Sequence, residues 1–207
     1  ADAKTIEWKV SPQFYNMEEG AYETTPCFII AKTKKAFDLW ESIPQAKLKF
    51  VYSGFIGSKS TNPVINIWFD GTNIWGHKDW SSTPGVAGTG GYSGVIPDDF
   101  QEGHVHLNLS ASNPYLYSGI TLKTMIHEIG HALGLPHMAT NSSIMSCGTP
   151  AWSDFEVLGF GNQDVANMID LWGAESDKMS ISGKIVASNS ALSTQVLFFV
   201  FAVDVVN

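Results

Sequence analysis

Eleven residues, His127–His137 (HEIGHALGLPH), constrain this chain more than any other stretch. On a helix, His127 and His131 leave the same face, so both imidazoles can reach one metal ion. Glu128 stands beside the first of them, placed to polarise a water at the metal without being a ligand. Gly134 has no Cβ, so it can enter the left-handed region and end the helix. Leu135-Pro136 cannot continue that helix, and the turn brings His137 back as a third ligand. Three neutral protein ligands leave one tetrahedral position open, the pattern of a catalytic rather than a structural zinc. The plainer alternative is two surface histidines on a helix and an unrelated third. A glycine and a third histidine at these offsets are two further constraints that chance has to meet.

The stretch resembles the HExxHxxGxxH signature of the metzincin metallopeptidases. Metzincins carry a tight methionine turn under the metal, and Ser143-Ile144-Met145-Ser146 fits one. On that resemblance Met145 is a soft, apolar floor below the three imidazoles. Taken alone, it would read as ordinary core filling.

Composition limits the alternatives. At 207 residues the chain can hold one sizeable domain with a short appendage. Only 15% of residues are charged, against roughly 25% in an ordinary soluble protein, while 44% are hydrophobic. That excludes a disordered or highly charged tail protein. A net charge of −8, with no cluster of Lys or Arg, argues against nucleic acid as a partner. The longest apolar run, Val196–Val203, is far short of a membrane span. Two cysteines are too few for a disulfide framework. Ala1-Asp2 leads straight into a strand-like segment without a signal-peptide pattern, as expected of a mature form.

In chain order, Thr5–Val10 alternates as a first strand. Thr25-Pro26 offers an N-cap and a proline at the first helical position. Phe28, Ile29, Ala36, Phe37 and Trp40 then form an apolar stripe that predicts a helix over Cys27–Glu41. Leu48–Tyr52 and Val64–Phe69 read as strands. Gly85–Gly94 is glycine-rich, but it neither follows a strand nor opens a helix as a phosphate-cradling loop would. Gly103–Ser110 alternates again and should be the last strand before the active-site helix, which begins near Thr121.

This order is similar to the metzincin N-terminal subdomain. It implies an α+β, zincin-like domain: a twisted, mostly parallel sheet with an antiparallel edge strand, an active-site helix, the methionine turn and a C-terminal helix. The edge strand should fall near Val86–Ile96, with His104–Ser110 inside it, and an extended peptide substrate can pair with such an edge. Asn162–Gly173 resembles the C-terminal helix of the matrixins, the matrix metalloproteinase group. Gln163-Asp164 and Trp172-Gly173 stand where matrixins usually show Gln-Asp-Asp and Tyr-Gly. Pro150-Ala151-Trp152 resembles the Pro-x-Tyr wall of their S1′ pocket. The resemblance covers about Thr5 to Gly173, which makes residues 1–173 a catalytic domain and 174–207 a β-rich C-terminal extension. Two departures stand out: one acid replaces the usual pair, and Met138 follows the third His where many matrixins carry Ser or Thr.

Cys147, two residues past Met145, stands where astacin- and serralysin-type enzymes put a tyrosine that reaches the metal. A thiolate at the zinc is therefore open to it. A disulfide to Cys27 is favoured in a secreted enzyme. Cys27 as an inhibitory cysteine lacks the neighbours of the matrixin motif. A second, structural zinc is implied by similarity of His77-Lys78-Asp79 to the matrixin His-x-Asp pair, with His104 and His106 on one strand face. The middle histidine of that family site is missing. Asp70, Asp98, Asp99 and Glu102 border the same loop and could bind calcium through oxygen.

The resemblance as a whole implies a secreted, monomeric zinc endopeptidase. His127, His131 and His137 hold the catalytic zinc, Glu128 is the general base, and protein or peptide is the substrate. The rival from another class is an idle metal-binding or adhesion module of the same fold, which would have no use for Glu128.

Overall fold

Lys4–Val10 (β1) is buried on both faces, which is how a central strand of a parallel sheet differs from an edge. Ile6, Trp8 and Val10 point into the main core. On the other face, the Glu7 carboxylate accepts hydrogen bonds from the Asn62 side-chain amide (3.0 Å) and the Thr61 hydroxyl (2.9 Å). Those bonds, led by Asn62, hold the carboxyl at about 2, below the usual range. The Lys9 ammonium donates to the Ser58 carbonyl.

The structure, a computed structural model, describes residues 2–11, 26–70, 86–108, 122–139, 142–146 and 159–174. Four more strands join β1: Leu48–Phe55 (β2), Val64–Asp70 (β3), Gly88–Ser93 (β4) and Glu102–Asn108 (β5), in the spatial order β2-β1-β3-β5-β4. All neighbours are parallel except β4, which runs antiparallel to β5 with Gly88 opposite Leu107 and Ser93 opposite Glu102. β2 continues past Tyr52 to Phe55 because the β1–β2 register slips between Trp8 and Val10. Gly54 takes up the change at φ 96°.

Three helices complete the architecture: Pro26–Glu41 (α1), Leu122–Ala132 (α2) and Asn162–Trp172 (α3). The stripe Thr33, Ala36, Phe37 and Trp40 turns α1 onto the sheet, where Phe37 stacks on Trp8 at 5.1 Å. The Trp40 indole N–H donates to the Ile126 carbonyl at 3.0 Å, tying α1 to α2. Truncating any of these fully buried rings to alanine should cost about 3–5 kcal/mol. The α+β architecture expected from the chain is the one observed. Among the described residues, no helix is long and apolar enough to cross a membrane.

Candidate active site and metal centre

The C-terminal end of α2 decides where the histidines meet. The Leu135 N–H bonds the Gly130 carbonyl (2.9 Å) and the Gly134 N–H bonds the His131 carbonyl (3.0 Å), a Schellman pair. Gly134 sits at φ 95°, and a Cβ there would come within 2.3 Å of Ile96 Cδ1. Glycine is thus required twice, by the backbone angle and by the neighbour. The Leu133 carbonyl, left over at the helix end, accepts the Trp172 indole N–H at 2.9 Å. Tryptophan at the end of α3 therefore caps α2.

Past this turn, His137 returns to face His127 and His131. Their Nε2 atoms lie 3.1 Å (His131–His127), 3.1 Å (His131–His137) and 3.3 Å (His127–His137) apart. The other ring nitrogens of the helical pair are already engaged. His127 Nδ1 donates to the Ile144 carbonyl at 2.7 Å, and His131 Nδ1 donates to the Leu135 carbonyl at 2.8 Å. A carbonyl only accepts, so both protons are on Nδ1 and both Nε2 lone pairs point inward. Burial, then the neighbouring imidazoles and Lys123, hold His127 down at about 4 against the opposing effect of the Ile144 bond. Burial also lowers His131. Neutral imidazoles with converging lone pairs are a ligand set for a cation. A tetrahedral ion with nitrogen bonds of about 2.0–2.1 Å separates its ligands by about 3.3–3.4 Å, close to the spacing seen. Among the described residues, these three form the one group able to hold a metal.

The floor of the site is built from Ser143–Ser146. Met145 is fully buried beneath α2, and a Cβ at Gly130 would lie 2.5 Å from its sulfur. Gly130 is therefore the residue that lets the thioether reach the helix. Asp164, in the first turn of α3 and 0% exposed, holds the turn from below. Its carboxylate accepts from the Ser143 hydroxyl, the Ile144 N–H (2.9 Å) and the Gly161 N–H (3.0 Å). One acid thus does the work at the methionine turn. The same Ile144 that donates its N–H to Asp164 accepts from His127, so α3 helps orient that histidine through the turn. Met138 is tied in as well, its N–H donating to the Met145 carbonyl at 2.7 Å.

Glu128 is 7% exposed and lies between α2 and β4. A Cβ on Gly88 would fall 2.8 Å from Glu128 Cγ, and one on Gly90 would fall 2.1 Å from the Glu128 carbonyl and 2.9 Å from His131 Cβ. The glycines of β4 therefore let the outermost strand lie flush on the active-site helix. A strand suited to pairing with extended peptide runs directly beside the carboxylate and the histidines.

A model of the matrixin family matches residues 4–173, most of the chain. The chain is a matrixin. Matrixins are zinc metallopeptidases, so the family implies a catalytic zinc, a metal that the converging imidazoles fit, and suggests a peptide substrate.

Other residues singled out in this matrixin's sequence are placed less decisively. His104 and His106 share one face of β5, rings 5.8 Å apart, with His106 stacked on Trp68 at 6.1 Å and His104 over Gly91. Their expected partners His77 and Asp79 lie outside the described residues, as do Cys147, Pro150, Ala151, Trp152 and residues 175–207. Cys27 is in α1, with its side chain outside that description. Asp98 and Asp99 are exposed, and Glu102 accepts from the Asn66 amide at 2.7 Å. Ser143, Trp172 and Asp164 are supports whose roles the sequence did not disclose. Only the helix-start position of Asp164 hinted at one.

Proposed function

We propose that this matrixin is a secreted zinc endopeptidase with His127, His131 and His137 as zinc ligands and Glu128 as general base. The observation that carries the proposal is the convergence of three Nε2 atoms within 3.3 Å, two of them with lone pairs fixed inward, beside a buried carboxylate. A zinc ion bound there supplies Lewis-acid polarisation of the scissile carbonyl and lowers the pKa of a water toward about 7. The Ile144 and Leu135 carbonyls keep His127 and His131 in the ligating tautomer. Glu128 receives the proton of the attacking water and passes it to the leaving amine. The β4 backbone aligns the peptide so that its scissile bond lies over the histidines. Residues 1–173 act as the catalytic domain and 174–207 as an extension, consistent with a family match that ends at residue 173.

The test is a mixed peptide library incubated with the zinc-loaded chain, with and without a zinc chelator, and read by mass spectrometry. Cuts that vanish with chelator and return with zinc are expected. Cuts that survive chelation, or a folded zinc-loaded protein that makes none, would count against it.

A further inference from the structure

We propose that Met138, with Asn167 as the donor for its oxidised form, is a reversible oxidation site through which peroxide loosens the metal centre. The inference rests on the three-histidine zinc site proposed above and adds a means of regulating it.

The methionines among the described residues differ in their access to solvent. Met125, Met145 and Met168 are 1%, 0% and 0% exposed, whereas Met138 is only partly buried. A thioether is oxidised where the oxidant reaches it, so of these four Met138 is the one open to attack. It follows the third histidine directly, at the position where many matrixins carry Ser or Thr. This chain thus keeps an oxidisable sulfur beside a residue of the metal centre.

A donor already faces that sulfur. The Asn167 side-chain amide, on α3, lies 3.5 Å from Met138 Sδ. A thioether is a weak acceptor, and the amide gains little from it. Oxidation changes the balance. The sulfur gives two electrons to hydrogen peroxide, the O–O bond breaks, an S–O bond forms and water leaves. The new oxygen is polar and can take the Asn167 N–H directly, so the oxidised side chain is satisfied where it stands.

The added oxygen also needs room along that contact. Met138 is pinned on its backbone, because its N–H donates to the Met145 carbonyl at 2.7 Å and it bridges to Ser146. The displacement therefore falls on His137, its chain neighbour, and on α3. Asn167 lies one turn beyond Asp164, which holds the methionine turn, so a push on α3 there reaches the floor of the site as well. Both routes spread the Nε2 atoms whose close spacing fits a cation. A dithiol reverses the change: the oxygen leaves as water, the dithiol becomes a disulfide and the thioether returns.

The experiment treats the full zinc-loaded chain with hydrogen peroxide and follows its peptides by mass spectrometry. Met138 should gain one oxygen about tenfold faster than Met125, Met145 or Met168. Competition against a chromophoric chelator should then show zinc bound about tenfold more weakly, with affinity restored by methionine sulfoxide reductases, one for each sulfoxide epimer. Met138→Leu should keep its zinc affinity through the same treatment, which separates Met138 from the two cysteines. Asn167→Leu leaves the new oxygen without its donor, so peroxide should lower its urea midpoint more than that of wild type, both measured without zinc. Earlier oxidation of the buried methionines overturns the proposal. So does an affinity that peroxide leaves unchanged or lowers equally in Met138→Leu, or a midpoint that falls equally with and without Asn167. A wild type that binds no zinc before treatment contradicts the ligand set instead, and the order of oxidation still decides whether Met138 is the modified residue.

Discussion

Replacing Asp164 by alanine should damage the metal site from a distance. The carboxylate is fully buried and serves the Ser143 hydroxyl and the Ile144 and Gly161 amides. A net hydrogen bond to a charged group contributes about 1.5–3 kcal/mol, and the three share one acceptor, so they do not add in full. Removing the buried charge also relieves its desolvation. The net cost is about 3–5 kcal/mol, a large part of the roughly 5–15 kcal/mol that stabilises a domain. The loss does not stop at stability. With Ile144 released, its carbonyl no longer fixes the His127 tautomer, and loss of such a supporting partner weakens metal binding about 10- to 100-fold. Urea unfolding gives the first quantity, and zinc competition against a chromophoric chelator gives the second. Asp164→Asn keeps one acceptor oxygen and should fall between wild type and alanine in both. A cost below about 1 kcal/mol with unchanged zinc affinity would refute the claim that α3 positions the methionine turn.

Two further outcomes follow from the packing and the titration. Gly90→Ala places a methyl 2.1 Å from the Glu128 carbonyl, so β4 must move off α2; peptide cleavage should fall at least tenfold while zinc still binds, and unimpaired cleavage would show that the close approach is unimportant. For the zinc-free protein, His127 has its folded value at about 4, below the ordinary 6.5. Between those values the unfolded chain holds the extra proton, so stability is complete above about pH 6.5 and falls as pH drops toward 4, by up to about 1.4 kcal/mol per unit. Urea midpoints measured from pH 7.5 down to 4.5 should decline, and a flat profile contradicts the buried, neutral imidazole.

What could be read in the chain depended on how local the cause was. Three candidate ligands, the proposed general base and the helix stop lie within eleven residues, and their spacing alone brings them together. β1 and α1 were legible from their apolar periods. β4 was faint for a physical reason: Gly88 and Gly90 are there so that the strand can touch Glu128 and His131, and that need removed the β-branched residues that normally mark a strand. The floor at Met145 was legible through its family likeness, but the hydrogen bonds that hold it were not. Asp164 looked like the remnant of a diminished acidic pair, yet its three bonds run to residues as many as 21 positions away. The Trp172 bond to Leu133 spans 39 positions, and no periodicity records a contact of that kind.

The most direct measurement pairs metal content with turnover in Glu128→Ala. The variant keeps His127, His131 and His137, so it should bind one zinc per chain with near wild-type affinity. It should cut the library peptides roughly 100- to 10,000-fold more slowly than wild type. Full zinc with undiminished cleavage would contradict Glu128 as the base, and loss of zinc in this variant would contradict the assignment of the metal to the three histidines alone.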